Sequence, residues 1–94
     1  MADKYIIRGD RSGVFFGEIE SREGREVKMR NVRRLYSWGG ATDVTQLAVD
    51  GVSRPQSCKF TMYADEAIIL DAIEIRKCSE KAITSIEGVG VWKV

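Results

Sequence analysis

Apolar and polar positions alternate with a period of two over most of this chain, which points to strands. Tyr5-Ile6-Ile7 reads as a short strand. Gly9-Asp10-Arg11-Ser12-Gly13 has turn chemistry throughout, with glycines for positive φ and Asp and Ser to bond nearby backbone. Val14–Ser21 reads as a second strand, with Phe15, Gly17 and Ile19 on one face and Phe16, Glu18 and Glu20 on the other. Gly17 in mid-strand marks a close approach or a bulge. Glu23-Gly24 is a hairpin turn signal, and Arg25–Trp38 follows as a long third strand.

Within that third strand the apolar parity slips. Val27 and Met29 share a face, but Val32 would fall on the opposite one. A bulge near Arg30-Asn31 restores the pattern and brings Val32, Arg34, Tyr36 and Trp38 to one side. The first three strands then form an antiparallel meander.

Two short stretches switch to helical spacing. Asp43 with Gln46 three residues on resembles a capping box, Val44, Leu47 and Ala48 form the stripe, and Gly51 ends it. Ser79 caps a second helix over Glu80–Ile86, with Ala82, Ile83 and Ile86 inward and Gly88 after it. Between the helices, Ser53–Ser57 reads as a loop, Lys59–Tyr63 as a strand, Asp65-Glu66 as a turn, and Ala67–Ile75 as a strand. The last is apolar on both faces, so a central place in a sheet is expected. Val89, Val91 and Trp92 make a closing strand or arm. The expected fold is α+β: a mostly antiparallel sheet, meander plus hairpin, with two short helices.

At 94 residues the chain is expected to be one domain, 1–94, with a modest core of the size that oligomers often extend. The net charge of +1 gives no overall pull toward nucleic acid, but the charge is uneven. Residues 1–34 hold most of the Lys and Arg, and residues 35–94 lean acidic, so an anion site is expected in the first part. No run is apolar enough to span a bilayer, and Met1-Ala2-Asp3 leads straight into a strand-like segment without a signal-peptide pattern. Cys58 and Cys78 lack metal spacing, and His is absent, which argues against zinc and for reduced thiols in a cytoplasmic setting.

Catalytic chemistry finds no footing. There is no His, no G-x-S-x-G and no H-E-x-x-H. Asp65-Glu66 reads as a turn, Glu18 with Glu20 as a solvated strand face, and Ser12 and both cysteines lack an activating base. A non-enzymatic binding module without cofactor is expected. Its unusual residues are concentrated in Arg30–Ala48. Arg30, Arg33 and Arg34 suit phosphate, Tyr36 and Trp38 suit stacking on a base, and Ser12, Asn31 and Thr42 suit polar edges. The same residues fit a solvated strand paired to Glu18 and Glu20, with aromatics in a core or interface. Duplex nucleic acid is not expected, for want of a continuous basic face.

The blocks RSGVFFG (Arg11–Gly17), SREG (Ser21–Gly24) and Arg33–Ala41 carry a resemblance. The chain resembles, from Arg8 to Lys93, a widespread family of small, largely uncharacterised proteins of tailed bacteriophages and prophages. It departs at Gly90, where that family often carries proline, and at Tyr36, where it often carries Trp. The resemblance implies a phage gene expressed in the host bacterial cytoplasm. By analogy of class, it suggests a homo-oligomeric anti-defence sponge. Such a sponge sequesters a cyclic nucleotide or cyclic ADP-ribose signal, as of CBASS or Thoeris, without cleaving it. The alternative is a protein–protein module: a virion accessory component or an inhibitor docking on a host protein.

Overall fold

The computed structural model describes residues 3–93; Met1, Ala2 and Val94, the ends of the expected 1–94 domain, lie outside the described residues. The elements in order are β1 (Tyr5–Gly9), β2 (Val14–Glu23), β3 (Glu26–Ser37), α1 (Val44–Asp50), a 3-10 turn (Pro55–Ser57), β4 (Lys59–Phe60), β5 (Ala64–Ile69), β6 (Ala72–Lys77) and α2 (Glu80–Glu87). The fold is a mixed α+β fold with a largely antiparallel sheet and two short helices.

β1, β2 and β3 form the expected antiparallel meander, and β6 pairs with the other edge of β1. The second edge of β3 is shared. Its first half takes β5, and Leu35 and Ser37 take β4. Only Leu70 and Asp71 separate β5 on one side of the sheet from β6 on the other. So short a link spans roughly 11 Å at full stretch. The sheet must therefore curl until its edges approach, and Ala72 N–H donates to Arg25 O at 3.0 Å across the closure.

Curling divides the apolar residues into two clusters. Ile7, Phe15, Val27, Met29, Val32 and Ile69 fill the inside. Ile6, Phe16, Leu35 and Phe60 face the other way and meet Val44 and Leu47 of α1 and Ala82 and Ile86 of α2. The adjacent Phe15 and Phe16 thus serve different cores, each buried ring contributing about 1.5–3 kcal/mol. Asp43 caps α1 by accepting from Thr45 and Gln46 N–H, while Gln46 Oε1 accepts from Thr42 N–H at 2.8 Å. Ser79 caps α2 through Ala82 N–H.

The expected bulge is present. Phe16 pairs with Arg33 and Glu18 with Arg30, so β3 spends one extra residue there, and Asn31 takes up the left-handed φ of 47°. A second slip on β2, between Ile19 and Ser21, was not foreseen.

Three expectations are corrected. Ala67–Ile75 is not one central strand, and Asp65-Glu66 is not a turn. The chain breaks at Leu70-Asp71, and β5 and β6 are both edge strands. Asp71 is diverted by tertiary bonds: it accepts from the N–H groups of Arg11 (2.8 Å) and Ser12 (3.1 Å) and from the Ser12 hydroxyl. The strand expected over Lys59–Tyr63 ends at Phe60, and Val91 joins it by a parallel bridge as the closing arm.

Candidate functional site

β3 positions most of the expected site residues, and strand alternation sends them to different places. Arg33 turns to the helix side of the sheet, like its partner Phe16, and is 1% exposed. Its guanidinium donates to the carbonyl oxygens of Thr61 (2.9 Å), Ile86 and Val89 (both 3.1 Å), Phe60 (3.3 Å) and Gly90 (3.4 Å). It lies 4.8 Å from the Tyr63 ring centre. α2 has no basic residue in its own last turn, and Arg33 supplies a cation to that carbonyl-rich end. Arg33 was expected to grip phosphate; instead its donors are spent inside the fold.

Arg30 and Asn31 are also turned away. Arg30 Nε binds Glu20, and its Nη2 lies 3.5 Å from Glu66; Lys28 shares both acids at 3.0 and 3.3 Å. Asn31 Nδ2 donates to Glu18 at 3.2 Å. These bonds hold Glu18 and Glu20 below the usual carboxylate range: Lys4 and then Asn31 act on Glu18, and Arg30 and then Lys28 on Glu20. The expected cross-hairpin partners of the basic run are found at Arg30 and not at Arg34.

Arg34 is the exception on this strand. It lies across from Phe15 on β2, with its guanidinium 4.8 Å from the Phe15 ring centre. Its backbone N–H is held by Thr61 Oγ1 at 2.9 Å. Among the described residues no ion pair involves Arg34. A cavity of about 320 Å³ brings it together with Ser12, Tyr36 and Trp38. A second, of about 490 Å³, shares Val14 and Trp38 with the first and reaches Thr42. A third, of about 520 Å³, shares Arg11, Ser12 and Arg34 and runs along Ala67–Leu70. The shared walls set these cavities side by side as a trough, with Arg34 lining the first and the third.

The aromatic residues differ in availability. Tyr36 is 62% exposed, and one face of its ring stacks on Trp92 of the C-terminal arm, at 5.1 Å between centres and 14° between planes. Trp38 packs against the helix-side core while still lining the trough. Ser12 lines it too, with its hydroxyl committed to Asp71, whose carboxyl is held low first by that bond and then by Arg11 N–H. Thr42 is exposed at the far end beside Asp43. The trough therefore gathers Ser12, Arg34, Tyr36, Trp38 and Thr42, and leaves out Arg30, Asn31 and Arg33.

A family model described as a domain of unknown function, DUF6948, matches residues 2–86. The chain belongs to that family. No curated protein and no solved structure matches it.

Sequence reasoning missed Arg11, Phe15 and the exposed pair Ile68 and Leu70 as trough residues. Phe15 was within reach, because the bulge register sets it opposite Arg34. Among the described residues no group of three or more His, Cys, Asp or Glu side chains could hold a metal ion, and no helix is long and apolar enough to cross a membrane. Both cysteines are free, and burial pushes the Cys78 thiol up to about 12. What the trough offers a ligand is two guanidinium groups, of Arg11 and Arg34, that form no ion pair among the described residues, and aromatic surface.

Proposed function

We propose that this protein is a binding module that holds a small anionic, base-bearing ligand of the nucleotide class at Arg34, without covalent chemistry. The observation that carries this reading is Arg34 itself, lying over Phe15 with no ion pair among the described residues and sharing one cavity with Tyr36 and Trp38. In this reading Arg34 takes a phosphate through charge-assisted bonds, and the free face of Tyr36 stacks a base on the Tyr36–Trp92 pair.

The phage and prophage resemblance supplies the setting. The ligand is then a cyclic nucleotide or cyclic ADP-ribose immune signal, sequestered in the host bacterial cytoplasm as an anti-defence measure. One observation favours the alternative of a protein–protein module: Ile68 and Leu70, 51% and 70% exposed, extend the trough as apolar surface.

A thermal-shift screen against cyclic dinucleotides, cyclic trinucleotides and cyclic ADP-ribose isomers tests the reading. A ligand that binds only the folded chain stabilises it by about 2.7 kcal/mol at a hundredfold excess over Kd. A raised melting temperature with one class is the expected result. No shift with any of them removes the nucleotide reading in favour of protein docking.

A further inference from the structure

We infer that a second copy of this chain pairs with the free edge of β5, antiparallel across a two-fold axis, and closes the trough with its own Asp65. β5 pairs with β3 along one edge, and among the described residues Ala64–Ile69 form no other backbone–backbone hydrogen bond. The trough runs past the last residues of β5. Five consecutive residues, Ala67 to Asp71, line it, the last three of β5 and its link to β6, as they do when a groove runs beside a strand and not over one face. The free edge of β5 has no proline, lysine or bulge; its charges are the acids Asp65 and Glu66, which a basic partner group must meet, and it exposes Ile68 and Leu70.

Two-fold pairing restricts the register. A centre at Glu66 sets like charges against each other. A centre at Ala67 sets Ala67 against Ala67, Glu66 against Ile68, and Asp65 against Ile69. By alternation Asp65 shares the face of Ala67 and Ile69, which belongs to the inner cluster. The partner's Asp65 thus enters the trough at its Ile69–Leu70 end, where Arg11 lines the wall. Neither Asp65 nor Arg11 forms an ion pair within the described chain. An isologous interface makes this contact twice and then stops growing. Arg34 stays uncommitted, so the dimer stands independently of the nucleotide reading.

Light scattering of the ligand-free protein at about 100 μM provides the test. The wild type is expected at twice the 10.6 kDa chain mass. Arg11→Asp and Asp65→Arg each place two like-charge pairs in a homodimer, and each is expected to run as a monomer. Mixed in equal amounts they restore both pairs, and the dimer mass returns. Ile68→Lys, at an exposed position, is a second route to the monomer. A monomeric wild type, single variants that remain dimeric, or a mixture that stays monomeric overturns the inference.

Discussion

A Cβ added to Gly17 would lie 2.9 Å from the carbonyl oxygen of Asn31, so the glycine of β2 and the bulge of β3 form one unit. The bulge turns Asn31 into left-handed geometry and pushes its backbone toward β2, and only a residue without a side chain fits beneath it. The same unit sets the register that brings Phe15 opposite Arg34.

Gly17→Ala is accordingly expected to destabilise by about 1–3 kcal/mol, because the clash is with backbone and not with a movable side chain. Asn31→Val is expected to cost about 1–2 kcal/mol for a left-handed residue, and Asn31→Gly much less. Urea denaturation followed by circular dichroism measures all three. A neutral Gly17→Ala would show that the two strands do not meet as described.

Arg33 carries the next prediction. Arg33→Met strands the carbonyls of Thr61 and Val89 and removes one donor from that of Ile86, which keeps the Val89 N–H, and a loss of about 2–3 kcal/mol is expected. Arg33→Lys keeps the charge but offers three donors in place of the planar fork, and is expected to recover only part of that loss. Equal stability of wild type and Arg33→Met in guanidinium melts would contradict the structural role.

Much of the fold was legible because local chemistry and tertiary structure agree. The slip between Met29 and Val32 marked the bulge, Asp43 and Ser79 marked helix starts, and Glu23-Gly24 marked the hairpin. Legibility failed where a residue answers to distant partners. Asp71 breaks an apolar run to bind Arg11 and Ser12, some sixty positions away, and nothing beside it in sequence signals that. At the site, alternation did separate Arg33 from Arg34. Which of them is buried against the helices depends on the carbonyls of the distant α2 end, which no spacing on β3 reveals.

Acid should weaken the fold through Glu18, Glu20 and Asp71, whose folded carboxyls are all held below their usual values. Their contribution is fully present above the unfolded carboxylate range, near about 4, and is lost as pH falls through the folded values. The urea midpoint is expected to hold from pH 7 to about 5 and to fall below that. Asp71→Asn should flatten the fall and loosen the Gly9–Gly13 turn. A midpoint that does not change between pH 5 and pH 2.5 would contradict this assignment.

Isothermal titration calorimetry on wild type, Arg34→Ala and Arg30→Ala tests the central claim, with cyclic dinucleotides, cyclic trinucleotides and cyclic ADP-ribose isomers as titrants. Wild type and Arg30→Ala are expected to bind one class alike, because Arg30 is held by Glu20 and Glu66 outside the trough. Arg34→Ala is expected to lose about 1.5–3 kcal/mol, the value of a charge-assisted hydrogen bond. Binding that survives Arg34→Ala unchanged, or wild-type protein that releases no heat with any titrant, would contradict a nucleotide site at Arg34.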